Sequence, residues 1–197
     1  MTMGTERRPG RPRSLAADEA ILDATVDLLA EQGFLGLSIE AVAARAGVAK
    51  TTIYRRWPTK DELLMDAVAC LKHAHPEPRG ESLRDDLIDM ISRMRDAWFE
   101  GRFGRVMARL AADGLERPEL YREGRDRFVA PRRAAMQRVI ERGIAEGGIR
   151  ADVDPEWVIV LLVSPIISAA LTHQDALPRR QIEFIVDTVL AGLHPEG

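Results

Sequence analysis

Ser38 and Gly47 bracket the segment IEAVAARA, and a second helix-forming stretch restarts almost at once, at Lys50. A serine hydroxyl accepts from the free N–H groups that open a helix, and a glycine adopts the left-handed conformation that closes one. The bracketed segment therefore reads as a helix of barely two turns, with Ile39, Val42, Ala43 and Ala46 on its apolar face. The next helix spans roughly Lys50 to Trp57. Helices this short gain little from propensity and must be held by packing. Joined by a tight turn around Gly47 and Val48, the two form a helix-turn-helix candidate.

The support for that pair is predicted on either side of it. Ser14 is placed to cap a first helix in which Ile21, Ala24, Thr25, Leu28 and Leu29 recur at helical spacing, ended by Gly33. Thr59-Lys60-Asp61-Glu62 is a capping box that opens a fourth helix, with Leu63, Ala67, Cys70 and Leu71 on its buried face. Cys70 is read there as small core filler. A single cysteine also excludes an internal disulfide framework.

Unrolled at about 100° per residue, the third helix puts Ile53 and Trp57 on one side. Thr51, Thr52 and Arg55 point the opposite way, with Lys50 and Tyr54 on one flank and Arg56 on the other. Small hydroxyls and an Arg fork suit base edges, and cations with a Tyr hydroxyl suit phosphates. Charge agrees. From Arg45 to Lys60 there are five Arg or Lys and no acid, although acids outnumber bases 31 to 28 over the whole chain. Residues 1–60 carry a net +2, whereas residues 61–197 carry −5, so the positive end is the part suited to a polyanion. Lys60 falls in a helix's first turn, where an anion is favoured as well. The DNA-facing set is thus Ser38, Arg45, Lys50, Thr51, Thr52, Tyr54, Arg55, Arg56 and Lys60. Before it lies RRPGRPR, whose Arg11 and Arg13 flank Pro12. Its Gly-Arg-Pro core resembles an AT-hook that enters a narrow minor groove, and a basic tail with no defined contact is the alternative.

These residues resemble the helix-turn-helix of the tetracycline-repressor (TetR) family of bacterial transcription regulators. The family pattern of Ala-Gly-Val-Ser, then a tyrosine, an aromatic pair and a lysine, is met here by Ala46-Gly47-Val48-Ala49, Ile53-Tyr54, Trp57 and Lys60. The resemblance covers roughly Ala17 to Leu71. Ala49 stands where the family often has serine, and Arg56-Trp57 replaces histidine or tyrosine followed by phenylalanine. The resemblance implies that Tyr54 and Lys60 clamp phosphates while Lys50, Thr51, Thr52 and Arg55 face the groove. FVAPRRAA and LLVSPIISAAL also resemble one branch of the family's C-terminal domains.

The rest of the chain is expected to be helical near 82–100, 103–113, 117–146 (bent or broken at Pro131), 155–173 and 178–193. Leu83, Leu87, Met90, Ile91, Met94 and Trp98 stripe the first of these, and its charged face, with Arg84, Asp85, Asp89 and Arg93, is expected to be solvated. The run WVIVLLVSPIISAAL, from Trp157 to Leu171, is shorter than the ~20 residues that span a bilayer and contains Pro165. A helix apolar on every side must be buried on every side. Its own domain covers one side and a second copy the other, the final helix completing a four-helix dimer bundle. By resemblance, this region also holds a small-molecule effector, for which Trp98, Met107, Phe128 and Ser164 are the candidate lining groups. Ser164 is equally able to bond a carbonyl one turn back.

The expected architecture is all-α. It comprises a flexible basic arm (1–14), a three-helix DNA-binding domain (15–60) and an effector-binding and dimerisation domain (61–197). No Ser-His-Asp set, metal-spaced His/Cys cluster or Gly-rich phosphate loop stands out, and His73 and His75 diverge on a helix. No enzyme, metal or cofactor is therefore expected. The basic N-terminus lacks an apolar h-region, which makes the expected location cytoplasmic and non-membrane. The leading expectation is a homodimeric repressor on a pseudo-palindromic operator in double-stranded DNA, released by an unknown small-molecule effector. The alternative is an architectural DNA-binding protein that answers to no ligand.

Overall fold

The computed structural model describes residues 15–71, 78, 80, 82–172 and 175–195, and no strand occurs among them. The DNA-binding end consists of α1 (Leu15–Gly36), α2 (Ile39–Ala46), α3 (Lys50–Tyr54) and α4 (Lys60–Ala69). It is followed by α5 (Leu83–Phe99), α6 (Phe103–Asp113), α7 (Pro118–Gly124), α8 (Ala130–Ala145), α9 (Pro155–Leu171) and α10 (Arg179–Leu193). A π-helical turn, Arg125–Val129, joins α7 to α8. The break expected at Pro131 therefore falls just ahead of it: with no N–H to donate, the proline sits in the first turn of α8.

Caps form where the chemistry places them. The Ser38 hydroxyl accepts from Ala41 N at 3.2 Å, and Thr59 Oγ1 accepts from Glu62 N at 3.1 Å. Gly47 closes α2 at φ 66, and Val48 N then reaches back to the Ala43 carbonyl. At Gly33 the backbone also turns left-handed (φ 73), which kinks α1 instead of ending it. One further turn follows because Phe34 N donates to Asp113 Oδ2 on α6 at 2.5 Å, replacing a lost helical bond.

Two cores result. The first gathers Ile21, Leu28, Leu29, Val42, Ile53, Trp57, Leu63 and Leu64, together with Val106 and Leu110 of α6. It contains α4 and borrows a face of α6, so packing crosses residue 60 without interruption. Ion pairs strengthen that crossing, with Arg102 at the head of α6 reaching Asp23 and Asp27 of α1 at 3.0 and 2.9 Å. The second core joins Leu87, Ile88, Ile91, Val139, Ile140, Val158, Ile159, Leu162, Ile166, Ile182 and Val186 across α5, α8, α9 and α10.

One expectation needs correcting here. Cys70 is exposed, because α4 ends at Ala69 and leaves it at the cap rather than on the buried stripe. On the charged side of α5, Arg84, Asp85 and Arg93 are exposed, and Arg84 holds Asp187 of α10 through two bonds of 2.6 and 2.9 Å. Asp86, next to it, is buried and paired with Arg142 of α8. A buried carboxylate is tolerated only with such a partner.

Candidate nucleic-acid interface

α3 is pinned from below. Ile53 is fully buried and Trp57 nearly so, and the indole Nε1 donates to Asp66 of α4 at 3.0 Å. Burying side chains of this size is worth roughly 2 kcal/mol each, well beyond what propensity supplies to so short a helix. The regular helix ends at Tyr54, earlier than the expected Trp57. Both Arg56 N and Trp57 N converge on the Ile53 carbonyl at 2.9 Å, and this tightened turn swings the indole into the core.

The opposite side is open. Lys50, Thr51, Tyr54 and Arg55 are exposed and Thr52 is half-buried. Ala49, at the N-cap, supplies no side-chain oxygen. Arg55 makes no ion pair among the described residues. Lys50 Nζ lies 2.8 Å from Glu40 Oε1, and Arg45 bonds Glu31 twice, at 2.8 and 2.9 Å. The Lys50 ammonium beside Glu40, and the Arg45 guanidinium beside Glu31, hold those carboxyls below their ordinary range. The cations are shifted upward in return, chiefly by the same hydrogen bonds. Exposed pairs of this kind contribute little to stability, so a phosphate can compete with Glu31 for Arg45. The window that is free of acids in sequence is therefore not free of them in space.

Two members of the expected contact set are used elsewhere. Arg56 turns inward: Nε pairs with the Asp18 carboxylate of α1, and the side chain keeps only 12% of its surface. The early end of α3 rotates residue 56 toward α1 and away from the groove side. Lys60 Nζ donates to the carbonyls of Phe34 and Leu37 at 2.6 and 2.7 Å, and lies 4.1 Å from the Phe34 ring centre. The last carbonyls of a helix carry partial negative charge and attract a cation. Burial pulls the Lys60 pKa below its ordinary value. Lys60 is a strut between α1 and α4, and a phosphate would have to compete with two carbonyls for it. Arg11 and Arg13, like Ser14, His73 and His75, lie outside the described residues.

The effector candidates do not form one group. Met107 and Phe128 pack against the first core and Trp98 against the second. The seam between them carries an aromatic pair and an arginine. Trp98 meets Phe103 edge-on at 6.2 Å, and the Arg132 guanidinium lies 4.6 Å from the centre of the Phe103 ring. Arg132 also donates to the Phe128 carbonyl at 2.9 Å, and its burial lowers its pKa. An Arg one residue beyond a proline gave no sign in sequence that it turns inward. Ser164 stands apart: it is exposed on α9, and its hydroxyl donates to the Val160 carbonyl at 2.6 Å. Its i, i+4 geometry is that of a satisfied helical serine, not of a pocket lining. A surface depression of about 480 Å³ is lined by Ile144, Gly147, Ile149, Arg150, Ala151 and Pro195, none of them a candidate.

α9 buries Val158, Ile159, Leu162, Val163 and Ile166 while Trp157, Leu161 and Leu171 stay exposed along the other side. Phe184 of α10 is 69% exposed. Among the described residues no helix is long and apolar enough to cross a membrane, and no group of three or more His, Cys, Asp or Glu is arranged to hold a metal ion.

Two family descriptions match the chain. Residues 21–67 match "Bacterial regulatory proteins, tetR family", and residues 77–189 match "Tetracyclin repressor-like, C-terminal domain". The HTH-type transcriptional regulator YdeS of Bacillus subtilis is 32% identical over 190 residues, covering 95% of each chain. The DNA-binding transcriptional repressor TetR of Mycobacteroides abscessus is 29% identical, covering 80% of this chain and 81% of its own. Among solved structures, the TetR-family regulator SCO0332 superposes with a TM-score of 0.64 at 26% identity, over 91% of this chain and 99% of that one. The flavonoid-responsive regulator FrrA shares the fold with a TM-score of 0.71 at 20% identity, over 92% and 98% of the two chains.

Proposed function

Since the chain belongs to the TetR family of bacterial transcriptional regulators, a family of regulators and not of enzymes, we propose that it is a cytoplasmic, homodimeric repressor of a pseudo-palindromic operator, released by a small-molecule effector. The observation that carries this reading is the pinning of α3, with Ile53 and Trp57 inside and Thr51, Tyr54 and Arg55 outside. Thr51, Thr52 and Arg55 read base edges with Lys50 beside them on the groove side, while Tyr54, Ser38 and Arg45 contact phosphates. Arg56 and Lys60 hold the reading head in place. Arg11 and Arg13 extend the contact into the minor groove.

A dimer is required on two grounds. The exposed α9–α10 stripe needs cover, and a second recognition helix about 34–36 Å away reads the next major groove. The effector enters at the seam of the two cores, with Trp98 on one side and Met107 and Phe128 on the other, beside Arg132 and the π turn that contains Phe128, a kind of turn frequent at functional sites. Effector binding favours a state with wrongly spaced heads. The relative named a repressor and the flavonoid-responsive structural neighbour both fit this reading.

Selection of bound DNA from a random pool tests the proposal: a two-fold symmetric motif is expected. A specific-to-random affinity ratio near one at fixed salt favours the architectural alternative instead. Deleting the gene should raise transcription of its neighbour, and no change contradicts repression.

A further inference from the structure

A carboxylate beside a surface that meets DNA needs a reason. Of the three acids that α1 and α2 bring to the basic window, Asp18 is part of an inward-facing pair and Glu31 sits on the long α1. Glu40 is different. It occupies the first turn of α2, its side chain is 64% exposed, and it meets Lys50 at the leading edge of the recognition helix. Tyr54, one turn along α3, is exposed on the same side of the helix as Lys50. Glu40, Lys50 and Tyr54 therefore make a continuous outward edge.

Stability accounts for Glu40 only in small part, because an exposed pair and an exposed carboxylate in a helix's first turn each contribute little. In the absence of a specific gain, its charge opposes every phosphate that approaches. Two amino groups face the major groove, on cytosine and on adenine; a carboxylate is rewarded by cytosine, because adenine sets its N7 acceptor beside its amino group and repels an anion that can only accept.

On the DNA-binding reading above, we propose that Glu40 is a specificity-determining residue, held by Lys50 so that its carboxylate accepts from a cytosine amino group in each half-site. Lys50 plays two parts. Paired with Glu40 it aims the carboxylate, and while paired it is withheld from phosphates, which lowers affinity for DNA of unrelated sequence. Guanine and thymine offer an oxygen where cytosine offers the amino group, so the carboxylate meets repulsion there instead of a bond.

The test is parallel selection from a random duplex pool with the full chain and its Glu40→Gln and Glu40→Ala variants, plus affinity for random duplex across a salt series. Unaltered melting temperatures show that the variants fold. The parent chain should return a cytosine at one position of each half-site. In both variants that preference falls about five- to tenfold while the remaining positions stay as they were. Affinity for random DNA rises, and the slope of log K against log salt steepens by about 1.8, as expected when the two freed Lys50 side chains of a dimer neutralise one more phosphate each. Unchanged base preferences, or random-DNA affinity that stays level or falls, overturns the assignment of Glu40 and leaves the regulator reading intact. A parent chain that selects no motif at all overturns both.

Discussion

α3 and α9 obey one rule and end with opposite surfaces. Each buries an apolar stripe against its own core: Ile53 with Trp57 for α3, and Val158, Ile159, Leu162 and Ile166 for α9. The remaining side of α3 carries hydroxyls and cations, and that of α9 carries Trp157, Leu161 and Leu171. The first surface is stable in water and gains by meeting a polyanion. The second loses by meeting water and gains from apolar cover, which on the proposed reading is a second copy of the chain. The same inner packing thus supports two outer chemistries, and only the outer one carries function.

The contrast is broken most severely at α9. Leu161→Glu should place two like charges across a symmetric interface, at several kcal/mol. Analytical ultracentrifugation should show a monomer, and operator affinity should fall by a factor on the order of a thousand. Next comes the inner side of α3. Ile53→Ala should cost about 2–4 kcal/mol of stability, seen in chemical denaturation, because the site is closed on all sides. Arg55→Ala, on the outer side of the same helix, should leave denaturation within about 0.5 kcal/mol of the parent. Its effect is on the operator, where it should cost about 1–3 kcal/mol and relax the preference at one position per half-site.

The smallest effect concerns pH. Glu31 is depressed below its ordinary 4.5, chiefly by its hydrogen bond to Arg45. A carboxyl lowered on folding adds stability above its unfolded pKa and loses it as pH falls through the folded value. The small advantage of the parent over Glu31→Gln should therefore persist at neutral pH and vanish below 4.5 in melting curves. The self-association proposed for α9, resting on apolar contact, should not follow it.

Local chemistry made much of this fold legible. Ser38, Gly47 and Thr59 mark helix ends by what their own atoms can do, and each acts as expected. The stripe from Leu83 to Trp98 and the all-round apolar run from Trp157 likewise folded as α5 and α9. The errors arose where a side chain had a choice of partners. Arg56 and Lys60 sit in a basic window and were expected to face phosphates, but Asp18 and the carbonyls of Phe34 and Leu37, distant in sequence, lie closer. Asp86 is buried because α8 brings Arg142 over it, a partner 56 residues away. The inward turn of Arg132 depends on where Phe103 of α6 arrives.

Periodicity and caps act within a few residues, so the amino-acid order alone determined an all-helical chain, a helix-turn-helix near residue 47 and an apolar helix too greasy to stand alone. Which cations remain available to DNA was decided by the tertiary structure. An arginine or lysine reaches whichever acid or carbonyl lies within its long side chain's radius, and those neighbours come from other helices.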